Sequence, residues 1–370
     1  MGTTGIRLVA AAMAMLAAGG AALGQTHAPW PTDWNNWNDA ALWANVGNAG
    51  NAGELSGAGA GGYGADRICG AVDYNYKIGK FELTAGQYTQ FLNAVAKTDT
   101  YGLYNANMAL ANSTTQGCNI TRTGNSGNYM YSVASDWANR PVNYVSWGDA
   151  ARFANWLTHG QPSGSQNLLT TEDGSYYLNG ATTNEALVAV TRKSNAKYVI
   201  PSEDEWYKAA YYDPNKPGGA GYYDFPTGSN SMPSNYLISP DPGNNANFYV
   251  AGYPHLNYYT IGSPYYRTPV GEFENSESPY GTFDQGGNVW EWNEADVIGY
   301  YRGVRGGSYY SSGGHGGGDG AGLLATYRDY LDPVFESGNI GFRIAEVPEP
   351  ATLSLLALGG AALLARRKKN

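Results

Sequence analysis

Between Gly281 and Ala295 the chain reads GTFDQGGNVWEWNEA, with Asp284 and Glu291 on either side of a Gly286-Gly287 turn. Glu291 is a candidate acid, a candidate ligand for a hard cation in an irregular loop, or a packing residue. From Val289 a strand's period of two would send Trp290 and Trp292 to one face and Glu291 to the other. Other chemistry is sparse. His27, His159, His255 and His315 show no compact ligand spacing, and Cys69 and Cys118 form neither a CxxC nor a zinc pattern. In an oxidising compartment the two cysteines form one disulfide or remain two structural thiols. His315 lies among glycines with Ser311 and Ser312 upstream and Asp319 downstream, so a hydrolytic triad can be drawn there. No nucleophile elbow accompanies it, and a loop is the plainer reading.

Three capping boxes mark where helices must begin, each pairing a hydroxyl with an amide or carboxylate three residues on. They are Thr84 with Gln87, Ser146 with Asp149, and Ser202 with Glu205. Behind the first, Tyr88, Phe91, Leu92 and Val95 make an apolar stripe at helical spacing. Capping work lowers the claim of Asp149 and Glu205 to catalysis. Short strands are expected around Tyr76 to Leu83, Tyr198 to Ile200, Val289 to Asn293, Val304 to Ser308 and Ile340 to Ile344, between Gly, Pro and Asn turns. Few helices, short strands and long ordered loops define a mixed α+β domain. No glycine-rich phosphate loop joins a strand to a helix, so nucleotide binding has no support.

The composition fits that architecture. Among 370 residues there are 51 Gly, 31 Tyr and 10 Trp but only 14% charged residues, which suits loops pinned by aromatics. Arg7 precedes an apolar run ending in Ala22-Leu23-Gly24, a cleavable export signal over residues 1 to 24. Residues 25 to 41 form an approach segment to a domain over 42 to 346. The remaining segment, 347 to 370, places Pro348-Glu349-Pro350 before 15 apolar residues and then Arg366, Arg367, Lys368 and Lys369. Fifteen residues fall short of the ~20 that span a bilayer comfortably, but the basic end favours a cytoplasmic C-terminus on an exported chain. Without Arg7 and those four tail cations, 17 basic residues face 31 acids, a net charge of −14. Such a surface excludes nucleic acid and favours cations as partners.

The tripartite end resembles a PEP-CTERM sorting signal. That resemblance implies an exosortase-type partner, passage through the inner membrane of a Gram-negative-type bacterium, and a link to extracellular polysaccharide. Four ordered segments, "KIGKFELTAGQYTQFLNAV", "RPVNYVSWGDAARFANWL", "YVIPSEDEWYKAAYY" and "GTFDQGGNVWEW...RGVRGGSYY...NIGFRIA", resemble the formylglycine-generating enzyme (sulfatase-modifying factor) family. The resemblance implies a fold elaborated from the C-type lectin-like domain and bound calcium. Family members that oxidise a client cysteine hold copper on two cysteines after an R-G-G-S motif, since soft thiolates favour Cu(I). Here Ser311 and Gly316 occupy those positions, so copper oxidase chemistry is not expected, and no two-histidine, one-carboxylate set supports iron.

The resemblance further implies calcium ligands at Asp284, Gly287, Val289 and Glu291, and the first half of a second site at Asn247 and Phe248, whose aspartate falls near Gly262 and Ser263. It places Arg328 beside Ser308, with His315 nearby, in a ligand groove. Arg140, Arg305 and Arg343 read as buried ion-pair partners. The expected function is a calcium-stabilised, non-catalytic module of the cell surface or matrix that binds a glycan or peptide. The alternatives are an oxidoreductase with a divergent metal site and an inert matrix component.

Overall fold

The computed structural model describes residues 31, 33–250, 258–310 and 320–348. Among these, eight strands make two four-stranded sheets: β1 (Trp43–Val46), β2 (Tyr76–Gly79), β3 (Tyr198–Val199), β4 (Trp290–Val297), β5 (Tyr301–Arg305), β6 (Asp329–Leu331), β7 (Ile340–Gly341) and β8 (Ala345–Glu346). The first sheet has the order β1-β2-β8-β3 and is antiparallel throughout. The second has the order β6-β5-β4-β7, with a parallel pairing only between β4 and β7. Three two-stranded ribbons lie outside these sheets. The architecture is α+β with little regular secondary structure.

All three expected helices form where their capping boxes place them: α1 (Ala85–Val95), α2 (Trp147–Thr158) and α4 (Glu203–Tyr211), with a short α3 (Asn184–Val188) that the sequence reading lacked. At each box the hydroxyl accepts from the N3 amide while the N3 side chain accepts from the cap amide. Such a cap contributes about 1 kcal/mol. The α1 stripe meets α2 in an aromatic cluster in which Phe91 and Phe153 lie 5.2 Å apart edge to face, and Phe342 closes on Phe153 at 5.7 Å. One large core holds these rings together with Trp147, Trp290 and Trp292.

The approach segment is partly built into this unit. Trp34 packs on Phe81 at 5.2 Å, and the Trp37 carbonyl accepts from the Trp43 indole. Strand limits differ from expectation because loops take over the hydrogen bonding. Beyond Gly79 the chain leaves β2, yet Leu83 still donates to the Phe342 carbonyl. No helix among the described residues is long and apolar enough to cross a membrane, and the run from 351 to 365 lies outside them.

Candidate functional site

Alternation along β4 places Trp290 and Trp292 in the main core, where the Trp292 indole donates to the Val145 carbonyl. Glu291 points the other way and is also buried. Arg343 grips it with two bonds of 2.6 Å, and the Trp206 indole donates to it at 2.7 Å. The Arg343 guanidinium further donates to the carbonyls of Gly79 and Phe283. The nearest cation to Glu291 is therefore an arginine.

Two more carboxylates share this interior. Glu82 accepts from the Asn288 amide at 2.8 Å and the Val289 backbone at 3.0 Å, and Asp284 accepts from the Gly271 backbone at 2.5 Å. Burial, then the charges of Asp284 and Glu291, push the Glu82 carboxyl well up. Burial also pushes Asp284 up to about 7, with Glu291 and Glu272 adding to it against the pull of the Gly271 amide and Arg343. Gly287 turns with φ +94, and a Cβ there would stand 2.2 Å from the Asn247 carbonyl oxygen, so only glycine fits. The Asn247 side-chain oxygen is buried without a partner, while its amide donates to Tyr266 and Asn288. Gly262 and Ser263 are exposed and bring no carboxylate to it. Among the described residues no group of three or more His, Cys, Asp or Glu has metal-holding geometry.

A groove of about 400 Å³ opens between the 113–116 loop, Tyr144, Tyr310 and the 337–339 turn. Among the described residues its lining is hydroxyls, amides and two phenol rings, with no carboxylate, amine, imidazole or thiol. Ser308 lies buried against it, its hydroxyl accepting from the Asn339 amide at 3.4 Å. The floor is rigid. Buried Arg267 donates to the carbonyls of Gln116, Gly117 and Gly338, Asn143 donates to those of Gln116 and Gly338, and the Tyr309 hydroxyl donates to Gly338. This network holds Gln116 and Tyr144 in left-handed backbone at φ +58 and +56, which non-glycine residues adopt at some cost.

The family model for the sulfatase-modifying factor enzyme 1-like domain matches residues 70–347. The chain belongs to that family. A model for the PEP-CTERM protein-sorting motif matches residues 346–369, which marks an exported protein recognised by exosortase-type sorting machinery. A search of curated proteins finds no match. Similar solved structures include CarF (20% identity, TM-score 0.46, covering 83% of this chain and 98% of that one) and variable protein 1 of Treponema denticola (17%, 0.45, 83% and 95%). PvdO from Pseudomonas aeruginosa is a third (16%, 0.39, 77% and 84%).

In this sulfatase-modifying factor domain one expectation needs correction and one open alternative is decided. Arg328 does not face the groove: it holds Glu203 with two bonds of 2.7 Å, and Glu203 also accepts from Arg305 at 2.7 and 2.9 Å. Arg67 completes the set at 3.4 Å. Burial would raise the Glu203 carboxyl, but Arg305, Arg328 and Arg67 together hold it down at about 2. Cys69 and Cys118 are free thiols, because Cys69 packs beside Arg67 and Arg305 under α4 whereas Cys118 belongs to the main core.

Ser311, His315 and Gly316, like His27 and His255, lie outside the described residues. His159 caps α2 and bonds to the Asp173 carbonyl. Arg305 and Arg343 are buried ion-pair partners as expected, but Arg140 stacks on Tyr265 at 4.0 Å and donates to carbonyls instead. The sequence reading missed Glu82, Glu203 and the whole 113–116 wall. Glu82 left one signal, a lone charge between Phe81 and Leu83 just before a helix cap.

Proposed function

We propose that this exported domain is a non-catalytic module that binds a glycan in the groove beside Ser308. The observation that carries the reading is the groove's lining, where side-chain amides and hydroxyls converge with Tyr144 and Tyr310 and, among the described residues, no carboxylate, amine, imidazole or thiol stands beside them to activate a hydroxyl. Sugar hydroxyls both donate and accept, which amides and hydroxyls match, and phenol rings supply apolar area at low entropic cost. The family cysteine positions hold Ser311 and Gly316, so no thiolate pair is available there for copper. Transient anchoring by the C-terminal segment, followed by a place at the cell surface or in the matrix, belongs to the same reading. With the full-length chain, neutral glycans are expected to bind in a calorimetric titration, and Thr114→Trp on the groove wall should weaken them about tenfold or more without moving Tm. Copper-dependent oxygen consumption by the purified chain would overturn the proposal.

We also propose one structural calcium ion held by Asp284, the carbonyls of Gly287 and Val289, and Glu291. Two buried carboxylates, Glu82 and Glu291, and the half-buried Asp284 here lie around the guanidinium of Arg343, and a dication would balance them. The donors retain capacity, since Asp284 accepts one hydrogen bond and one oxygen of Glu291 accepts only from Arg343. The ion supplies charge and loop order, not chemistry. Added calcium should raise the Tm of the wild type and leave that of Asp284→Asn unchanged. Equal responses would remove the assignment.

A further inference from the structure

Beside the groove, tyrosines continue one another. Tyr310, which lines it, is 53% exposed, and its ring lies 6.3 Å from that of buried Tyr309. Tyr309 packs on Tyr266 at 5.8 Å, Tyr266 on Tyr259 at 5.3 Å, Tyr259 on Tyr249 at 5.2 Å, and Tyr249 on Tyr258 at 6.4 Å. Tyr258, at the far end, is 64% exposed, and Tyr249 and Tyr259 are half-buried. Tyr259 also lies close enough to Tyr310 for the two phenols to interact electrostatically. The buried pair is fixed from below, where the Arg267 guanidinium sits 5.5 Å from the Tyr309 ring centroid and the Tyr309 hydroxyl bonds into the groove floor.

We propose that Tyr310, Tyr259, Tyr249 and Tyr258 form an aromatic platform that lengthens the groove into a cleft for a strand of neutral polysaccharide. The inference rests on the glycan reading of the groove and goes beyond it, to a polymer held at several successive sugars. Pyranose rings present apolar C–H faces that stack on phenol rings, and their equatorial hydroxyls lie at the edge, where the groove offers amides and hydroxyls. Among the described residues neither the platform nor the groove lining carries a charged side chain, and the chain as a whole is acidic, so a neutral strand fits where an anionic one would meet no counter-charge.

The test is a length series. Affinities of the full-length chain are measured for neutral oligomers of glucose, galactose and mannose from monosaccharide to hexasaccharide. At least one series is expected to bind more tightly as it lengthens. Tyr258→Ala should weaken its hexasaccharide about threefold to tenfold and leave its monosaccharide unchanged, while Tyr258→Trp retains the length dependence. Affinity that does not grow with length, or a Tyr258→Ala variant that matches the wild type, overturns the platform and leaves the groove reading standing. Absence of binding at every length overturns both. Tyr258-dependent binding of oligopeptides without any of sugars overturns it in favour of a protein partner.

Discussion

Glu203→Gln is expected to lower the unfolding free energy by about 4 kcal/mol. The carboxylate is 4% exposed and neutralises Arg305 and Arg328, which are 0% and 8% exposed, with Arg67 at the rim. An amide of the same shape removes the charge and strands two buried guanidinium groups, and a buried charge without its partner costs far more than the intact pair contributes. The urea midpoint should fall with an unchanged slope. Asp204→Asn, which breaks only the part-exposed pair with Arg67, should cost less than about 1 kcal/mol. A loss that small for Glu203→Gln would mean that water or other acceptors satisfy the guanidiniums.

The same residue gives an acid signature. Its carboxyl is held at about 2 in the folded state against an ordinary value of 4.5, so its contribution is complete above pH 4.5 and disappears as the pH falls through 2. That window carries about 3 kcal/mol of stability. Carboxyls pushed upward by burial, such as Glu336 at about 8, act in the opposite direction, so the difference between wild type and Glu203→Gln isolates the Glu203 share. That difference should shrink as the pH drops from 5 towards 2.

Arg343→Met should cost about 3–5 kcal/mol. It leaves Glu291 fully buried with only the Trp206 indole as donor, next to the carboxyls of Glu82 and Asp284. Glu291→Gln should cost less than Arg343→Met, because Glu82 and Asp284 still lie close enough to favour the charged guanidinium. A double-mutant cycle should return a coupling of about 2 kcal/mol or more. If calcium occupies the neighbouring loop, its stabilising effect grows when Arg343 is absent, since the dication then faces three uncompensated carboxylates. A calcium response that shrinks instead would separate the two features.

What could be read from the sequence was local. Each capping box declares itself within four residues, and the strand period alone set Trp290 and Trp292 against Glu291. Arg305 and Arg343 were recognisable as buried partners because charged residues inside apolar strands need counter-charges. Their partners were not recognisable, because Glu203 meets Arg305 across 102 positions and Arg328 across 125. No periodicity links such residues; only the packing of α4 against the second sheet does. The groove was hidden for the same reason, since its wall at 113–116, its ring at Tyr144 and its turn at 337–339 come from three unrelated loops. Arg328 was misplaced because adjacency to Ser308 in a family motif says nothing about which buried acid captures the guanidinium first.

The position of β8 has a consequence for the order of events during synthesis. Residues 345 and 346 form an inner strand, and β2 and β3 reach each other only through it. Until the ribosome has delivered those last residues, the first sheet stays in two pieces, however early its other strands are made. The sorting motif begins at residue 346, inside that strand. Completion of the fold therefore waits on the residues at which the address label begins, and a chain truncated upstream of the label lacks part of the strand that closes its sheet.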